Sequence, residues 1–355
     1  MRGKNKPSAS PDLAGVNTSL TFAAPYNCEH AGICLTQSFF ADPELRVSKG
    51  IKLHFHLLNK KNSLLGMPSV TPAANHQQIP AVWGYETTTI PMMLGCRVSY
   101  QDSEFPHAKP LNLDDEAVMA LEPIIDFSDN PVMQDLEDQA HWIKEKYGRS
   151  AIQINMQSPL NIAFKLRGDQ LHYDFFDHPE LVHKLMNYCQ ETWINIRRWI
   201  ENVNVSNGTP PPSGRVSIDN CTAALISPDI YREFVFPYDL KTSEIYKERL
   251  GVHHCGANME KFAEHYAALG DGCWYDIGYG SCVEECVNTF NVDGVSQQFS
   301  VRYGPARLLS AKADDITREL DEMRANGGSY IRCIGTDPET PDENLKAFWG
   351  WVPKR

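Results

Sequence analysis

Val252-His253-His254-Cys255-Gly256 places two imidazoles, a thiol and a glycine behind an apolar residue. Read as a strand end, the segment puts residues i and i+2 on one face. His253 and Cys255 then point one way and His254 the other. Gly256 lets the chain turn sharply there. A neutral imidazole and a thiolate one spacer apart make half of a tetrahedral zinc site. The competing reading is a buried cysteine beside a hydrogen-bonded histidine, and the pair alone does not separate the two. Ser329-Tyr330-Ile331-Arg332-Cys333 is a second apolar strand ending in cysteine. Trp274-Tyr275-Asp276-Ile277-Gly278 is a third, with a carboxylate near its end. As parallel members of one barrel these strands would converge at their C-terminal tips. His253, Cys255 and Cys333 would then be metal ligands. Asp276 would be a fourth, exchangeable ligand of catalytic use, or a carboxylate that orients His253.

Convergence of that kind needs repeated strand–helix units, and the chain reads that way. Strands are expected at 79–85, 151–156, 215–220, 252–255, 273–277, 295–301 and 329–333. Helices are expected at 181–203, after the N-cap pair Ser227-Pro228, at 258–269, at 313–325 and from Pro341 to Phe348. Thr340 and Glu343 form a capping box for the last. Uninterrupted alternation points to an α/β fold with a parallel barrel. Residues 95–150 yield no clear strand. Residues 1–20 read as a mobile tail rich in Ser, Pro, Asn and Lys. Residues 21–78 read as an N-terminal extension, helical from Val47 to Leu58, which pads the barrel or contributes to a homo-oligomer interface. The barrel domain spans 79–355.

Barrel chemistry is built at the C-terminal strand ends. The polar or amphipathic residues expected there, besides the ligands, are Trp83, Tyr85, Asn155, Gln157, Asp219, Asn220 and Gln298. Trp83, Tyr85, Asn155, Gln157 and Asp219 are the candidate substrate contacts. Each has a plainer role: core and rim for Trp83 and Tyr85, loop backbone bonding for Asn155 and Gln157, and a helix-start cap for Asp219.

Several segments, taken in order, resemble the uroporphyrinogen decarboxylase superfamily. They are Gln157-Ser158-Pro159-Leu160 with Leu166-Arg167-Gly168, Asp177-His178-Pro179-Glu180-Leu181-Val182-His183, Ser227-Pro228-Asp229-Ile230-Tyr231-Arg232, His253-His254-Cys255-Gly256 and Thr340-Pro341-Asp342-Glu343-Asn344-Leu345. Within the superfamily they are more similar to the zinc-dependent, corrinoid-linked methyltransferase branch, which carries His-x-Cys and a distant Cys on zinc. The spacing from Cys333 to Thr340-Pro341 departs from that branch. The resemblance runs from Ile79 to the C-terminus. It implies a (β/α)8 TIM barrel, a zinc ion, and a corrinoid of the methylcobalamin type carried by a partner corrinoid protein. It also implies methyl transfer to or from a small molecule such as a thiol or a methylated compound. Zinc with two thiolates and one neutral imidazole has no net charge, and lowers the pKa of a bound thiol.

Two other functions compete. A porphyrinogen decarboxylase needs arginines for its acidic substrate. That branch carries them after the first strand, whereas Trp83-Gly84-Tyr85-Glu86-Thr87-Thr88-Thr89 has none before Arg97. A non-catalytic corrinoid-binding relative would leave a metal site at strand tips without a purpose.

Composition narrows the field. At 355 residues with 42% hydrophobic content the chain can bury one large α/β core. A net charge of −12 argues against nucleic acid and anionic membrane surfaces. No run approaches a membrane span, so a cytoplasmic location is expected, with the ten cysteines as thiols or ligands rather than disulfides. Cys28/Cys34 and Cys282/Cys286 have suggestive spacings. The latter pair is read as one helix face.

Overall fold

The computed structural model describes residues 18–71, 81–102, 104–209, 216–270, 274–291 and 298–353, without the side chains of Trp83, Glu248 and Gln298. Its strands are β1 (Thr18–Phe22), β2 (Ala81–Trp83), β3 (Val98–Gln101), β4 (Glu104–Ala108), β5 (Ala151–Gln153), β6 (Val216–Asp219), β7 (Leu250–His253), β8 (Trp274–Ile277), β9 (Gln298–Tyr303) and β10 (Tyr330–Thr336). The chain divides into two compact units. Of the described residues, one comprises those within 18–22, 216–217 and 243–353, the other those within 23–209 and 218–242.

The first unit is organised on a six-stranded sheet in the order β1-β10-β9-β8-β7-β6. The pairs β1–β10, β10–β9, β9–β8 and β8–β7 are parallel. All four residues of β7 are buried, as expected of a parallel strand covered on both faces. Strand alternation divides the sheet into two faces. On one, Tyr275 stacks on Phe290 of the helix Val283–Phe290 at 3.8 Å between centroids, and Tyr303 packs on Phe348 of the helix Asp342–Trp349 at 5.6 Å. The other face carries His253, Asp276, Arg302 and Arg332, because register pairs His253 with Asp276, Asp276 with Ser300, and Arg302 with Arg332.

The second unit holds the parallel pair β2–β5 and the antiparallel hairpin β3–β4. Its long helices are Pro43–Leu64, Pro131–Tyr147 and Pro179–Ser206. Each begins on proline, whose fixed φ suits the first helical turn. Asp42 and Asn130 cap the first two through their side chains.

Three expectations change. Residues 18–20, assigned to a tail, belong to β1, which pairs with β10. Thr18 Oγ1 also donates to the Phe348 carbonyl at 3.2 Å. The fold is α/β, but among the described residues the ladders form six- and two-stranded sheets and no closed barrel. β2 and β5, at three residues each, offer few ladder bonds. Finally, Cys28 and Cys34 form a disulfide rather than remaining thiols. Gly32, left-handed at φ 70°, ends the helix Ala24–Ala31 and turns the chain back, so their Cα atoms are 4.5 Å apart. Among the described residues no helix is long and apolar enough to cross a membrane.

Candidate metal centre

β7 ends on His253, whose Nδ1 lies 2.7 Å from Asp276 Oδ2 on the neighbouring strand. The same carboxylate oxygen accepts from Arg302 Nε at 2.8 Å and pairs with its terminal nitrogen at 2.6 Å. Arg332 approaches it at 3.6 Å. Asp276 is only 1% exposed. Burial alone would push its carboxyl pKa up, but the His253 hydrogen bond and the Arg302 charge hold it well below the usual carboxylate range. An ionised carboxylate can only accept, so Nδ1 of His253 carries a proton. In the neutral ring Nε2 is then the lone-pair atom, the tautomer a metal requires. Oδ1 of Asp276 is buried with no hydrogen-bond partner among the described residues.

Cys255 lies in the loop beyond β7, exposed, and its sulfur is within 4.8 Å of a ring nitrogen of His253. That loop is held from the β8 side. His254 N donates to the Asp276 carbonyl at 3.2 Å. Ser281 Oγ donates to the Gly256 carbonyl at 3.2 Å and accepts from Met259 N at 3.1 Å. A Cβ on Gly278 would sit 2.1 Å from the Gly256 oxygen and 2.2 Å from the His254 oxygen. This glycine is required by close approach of two backbones. His254 turns to the other side, fully buried. Its Nδ1 is 3.0 Å from Tyr266 Oη, and burial lowers its pKa to about 4. An imidazole and an exposed thiol on a pinned loop fit a zinc ion, and a carboxylate fixing the imidazole proton completes the usual arrangement.

The structure brings together His253, Asp276 and Cys255, but Cys333 stands apart from them. Register places Cys333 beside Tyr303, on the helix-packed face, while Arg332 shares the face of Asp276. Cys333 is fully buried, and its sulfur accepts from Thr336 Oγ1 at 3.4 Å. Burial pushes its thiol pKa up to about 11, so the thiolate form is disfavoured.

The expected substrate contacts lie in the second unit. Tyr85 is 7% exposed; its hydroxyl donates to Asp135, its ring packs on Phe40, and burial raises its pKa. Asn155 Oδ1 accepts from Gln157 N at 3.2 Å, a local turn. The Asp219 carbonyl accepts from Asn161 Nδ2 at 2.9 Å. Trp83 ends β2, with its side chain outside the described residues. Gln298 opens β9 rather than standing at its tip, and the strand runs on to Tyr303. A cavity of about 470 Å³ in this unit, lined by Asn112, Asp114, Asp115, Arg167, Gln170 and His178, contains none of the expected residues.

Sequence reasoning missed Arg302 and Arg332. The available signal was a cation at an alternate position within each apolar strand, in Phe299-Ser300-Val301-Arg302-Tyr303 and in Tyr330-Ile331-Arg332-Cys333.

The family model for uroporphyrinogen decarboxylase (URO-D) matches residues 81–354. No curated protein matches the chain. Among solved structures, a "methyltransferase from Methanosarcina mazei" shares the fold at a TM-score of 0.65 and 18% identity, with 94% of this chain and 91% of that chain covered.

Proposed function

This chain belongs to the uroporphyrinogen decarboxylase family, and from that premise we propose that it moves a methyl group between a corrinoid on a partner protein and a small substrate, using zinc held by His253 and Cys255. The observation that carries the metal is the 2.7 Å contact of His253 Nδ1 with the buried Asp276 carboxylate. The methyl-transfer reading draws support from the likeness to a methyltransferase structure and from the arginine-free segment 83–89. The corrinoid enters through the sequence resemblance. The family fold that goes with this reading is a (β/α)8 barrel.

Cys333 was expected as a third protein ligand on sequence grounds, but register places it beside Tyr303, on the face that packs against helices.

Bound by His253 and Cys255, zinc would lower the pKa of a substrate thiol or polarise the leaving group of a methylated substrate. The protein's own groups have separate tasks. Asp276 holds the His253 proton on Nδ1 and keeps the ring in one orientation. Arg302 balances the Asp276 charge, so the carboxylate stays ionised while buried. Gly278 and Ser281 fix the backbone that presents Cys255.

The test is threefold on protein purified without added zinc: metal content, loss of the methyl–cobalt absorbance of methylcobalamin with a panel of thiols, and carbon dioxide release from uroporphyrinogen. One zinc per chain with thiol-dependent demethylation is expected. Decarboxylation at an enzyme-like rate by metal-free protein would overturn the reading.

A further inference from the structure

The Asp276 carboxylate is loaded on one oxygen and bare on the other. His253 Nδ1 at 2.7 Å and two nitrogens of Arg302 at 2.8 and 2.6 Å all meet Oδ2. Oδ1 is buried and has no hydrogen-bond partner among the described residues. A carboxylate offers lone pairs on both oxygens, and leaving one bare in the interior is unfavourable. The next residue in the same row is Ser300. Register sets it directly beside Asp276 on β9, with its side chain on the same face. Ser300 is fully buried, and its Oγ likewise has no partner among the described residues. An unused acceptor and an unused donor thus stand on adjacent strands, about 4.8 Å apart.

Two other buried carboxylates show how this chain treats the same problem. Asp174 uses both oxygens: Oδ2 accepts from Arg167 Nε, and Oδ1 accepts from Arg167 and Gln170. Asp239 leaves its Oδ1 bare, but burial pushes its pKa up to about 6, so a proton can occupy that oxygen. Asp276 has neither solution. Against the push of burial, His253 and Arg302 hold its pKa well below the usual carboxylate range, so no proton sits on Oδ1. The donor must come from a neighbour. Ser300 has the matching difficulty, since a buried hydroxyl without a partner is itself unfavourable, and alanine there would bury no polar group.

We infer that Ser300 is a positioning residue, whose hydroxyl donates to Asp276 Oδ1 and holds the carboxylate from the strand opposite His253. The sheet order β9-β8-β7 places Asp276 between the two. The hydroxyl turns about the Cα–Cβ bond among staggered positions, so it can be aimed at the neighbouring strand without moving the backbone. With both oxygens held, the carboxylate plane cannot swing, and the His253 ring stays aligned with Oδ2. Ser300 touches neither substrate nor metal in this role; it acts through Asp276. The consequence for zinc rests on the metal reading given above; the hydrogen bond itself does not.

Two measurements on wild type, Ser300→Ala and Ser300→Thr test it. The first is solvent exchange of the His253 Nδ1 proton, read by nitrogen NMR on metal-free protein. Ser300→Ala should speed that exchange about tenfold or more, the scale of one hydrogen bond to a charged group. Ser300→Thr keeps the hydroxyl and should stay near wild type. The second is zinc affinity by chelator competition, which Ser300→Ala should lower about three- to tenfold, less than removal of the carboxylate itself. Unchanged exchange in Ser300→Ala, or the same acceleration in both variants, would overturn the positioning role. Faster exchange in Ser300→Ala alone, with wild-type zinc affinity, leaves the role standing and counts against His253 as a zinc ligand. Circular dichroism of each variant excludes loss of fold as the cause.

Discussion

His253 and Asp276 are opposite each other in the β7–β8 register, and their side chains meet at 2.7 Å through Nδ1 and Oδ2. A one-residue change of register would turn one of them to the helix side. Replacing the carboxylate by an amide should therefore leave the strands in place and release the ring. Asp276→Asn is expected to weaken zinc binding by about ten- to a hundredfold, the usual effect of removing a ligand's orienting partner. Chelator competition measures it. Wild-type zinc affinity in the variant would show that the contact does not tune the metal.

Thiol exchange tests the ligand set. Cys333→Ser should keep its zinc, because register places position 333 beside Tyr303, on the face away from His253. It should lose stability by about 1–3 kcal/mol as a hydroxyl replaces a buried thiol. Cys255→Ser should lose zinc with the fold retained. Metal analysis of the two variants decides, and zinc loss in Cys333→Ser would restore the sequence expectation.

Gly278→Ala would force a methyl group against two backbone oxygens. We expect a destabilisation of about 1–3 kcal/mol from overpacking, together with weaker zinc binding, since the displaced segment carries Cys255. Ser281→Ala removes a milder restraint on the same loop and should weaken zinc binding less. Thermal unfolding and chelator competition read the two effects separately. Unchanged zinc affinity in both variants would mean that the loop does not set the ligand position.

The buried Asp239 makes stability depend on pH. It accepts from Tyr231 Oη at 2.6 Å and from Asn220 Nδ2 at 2.7 Å, while its Oδ1 has no partner among the described residues. Burial pushes its pKa up to about 6, against the partial opposition of those two bonds. A raised carboxylate pKa means the folded state holds a proton that the unfolded chain has released. Between about pH 4 and pH 6 this group's contribution therefore falls as pH rises, by on the order of 3 kcal/mol at most, and it is constant above. Asp239→Asn should flatten that part of the profile and gain stability relative to wild type as pH rises through it. Denaturant unfolding at pH 4, 5, 6 and 7 checks it. Parallel profiles for variant and wild type would show that Asp239 does not titrate in this range.

Local chemistry made part of this protein legible from sequence. The β7 strand, the glycine behind Cys255 and the opposite directions of His253 and His254 all follow from side-chain alternation over a few residues. The apolar strands β8 and β10, and the helices after them, carry equally local signals. Asp276 could be named because a carboxylate in an apolar strand stands out.

Only the tertiary structure decided which strand residues face one another. Alternation fixes that Arg332 and Cys333 lie on opposite faces, but not which face meets Asp276; pairing with β9 settles that. Arg302, Asp276 and His253 come from three strands whose relative register no single segment encodes. β1 joins β10 across more than 300 residues of chain, as the Thr18–Phe348 bond shows at a separation of 330. Strand period is a property of one segment, whereas register is set by the packing of both sheet faces at once.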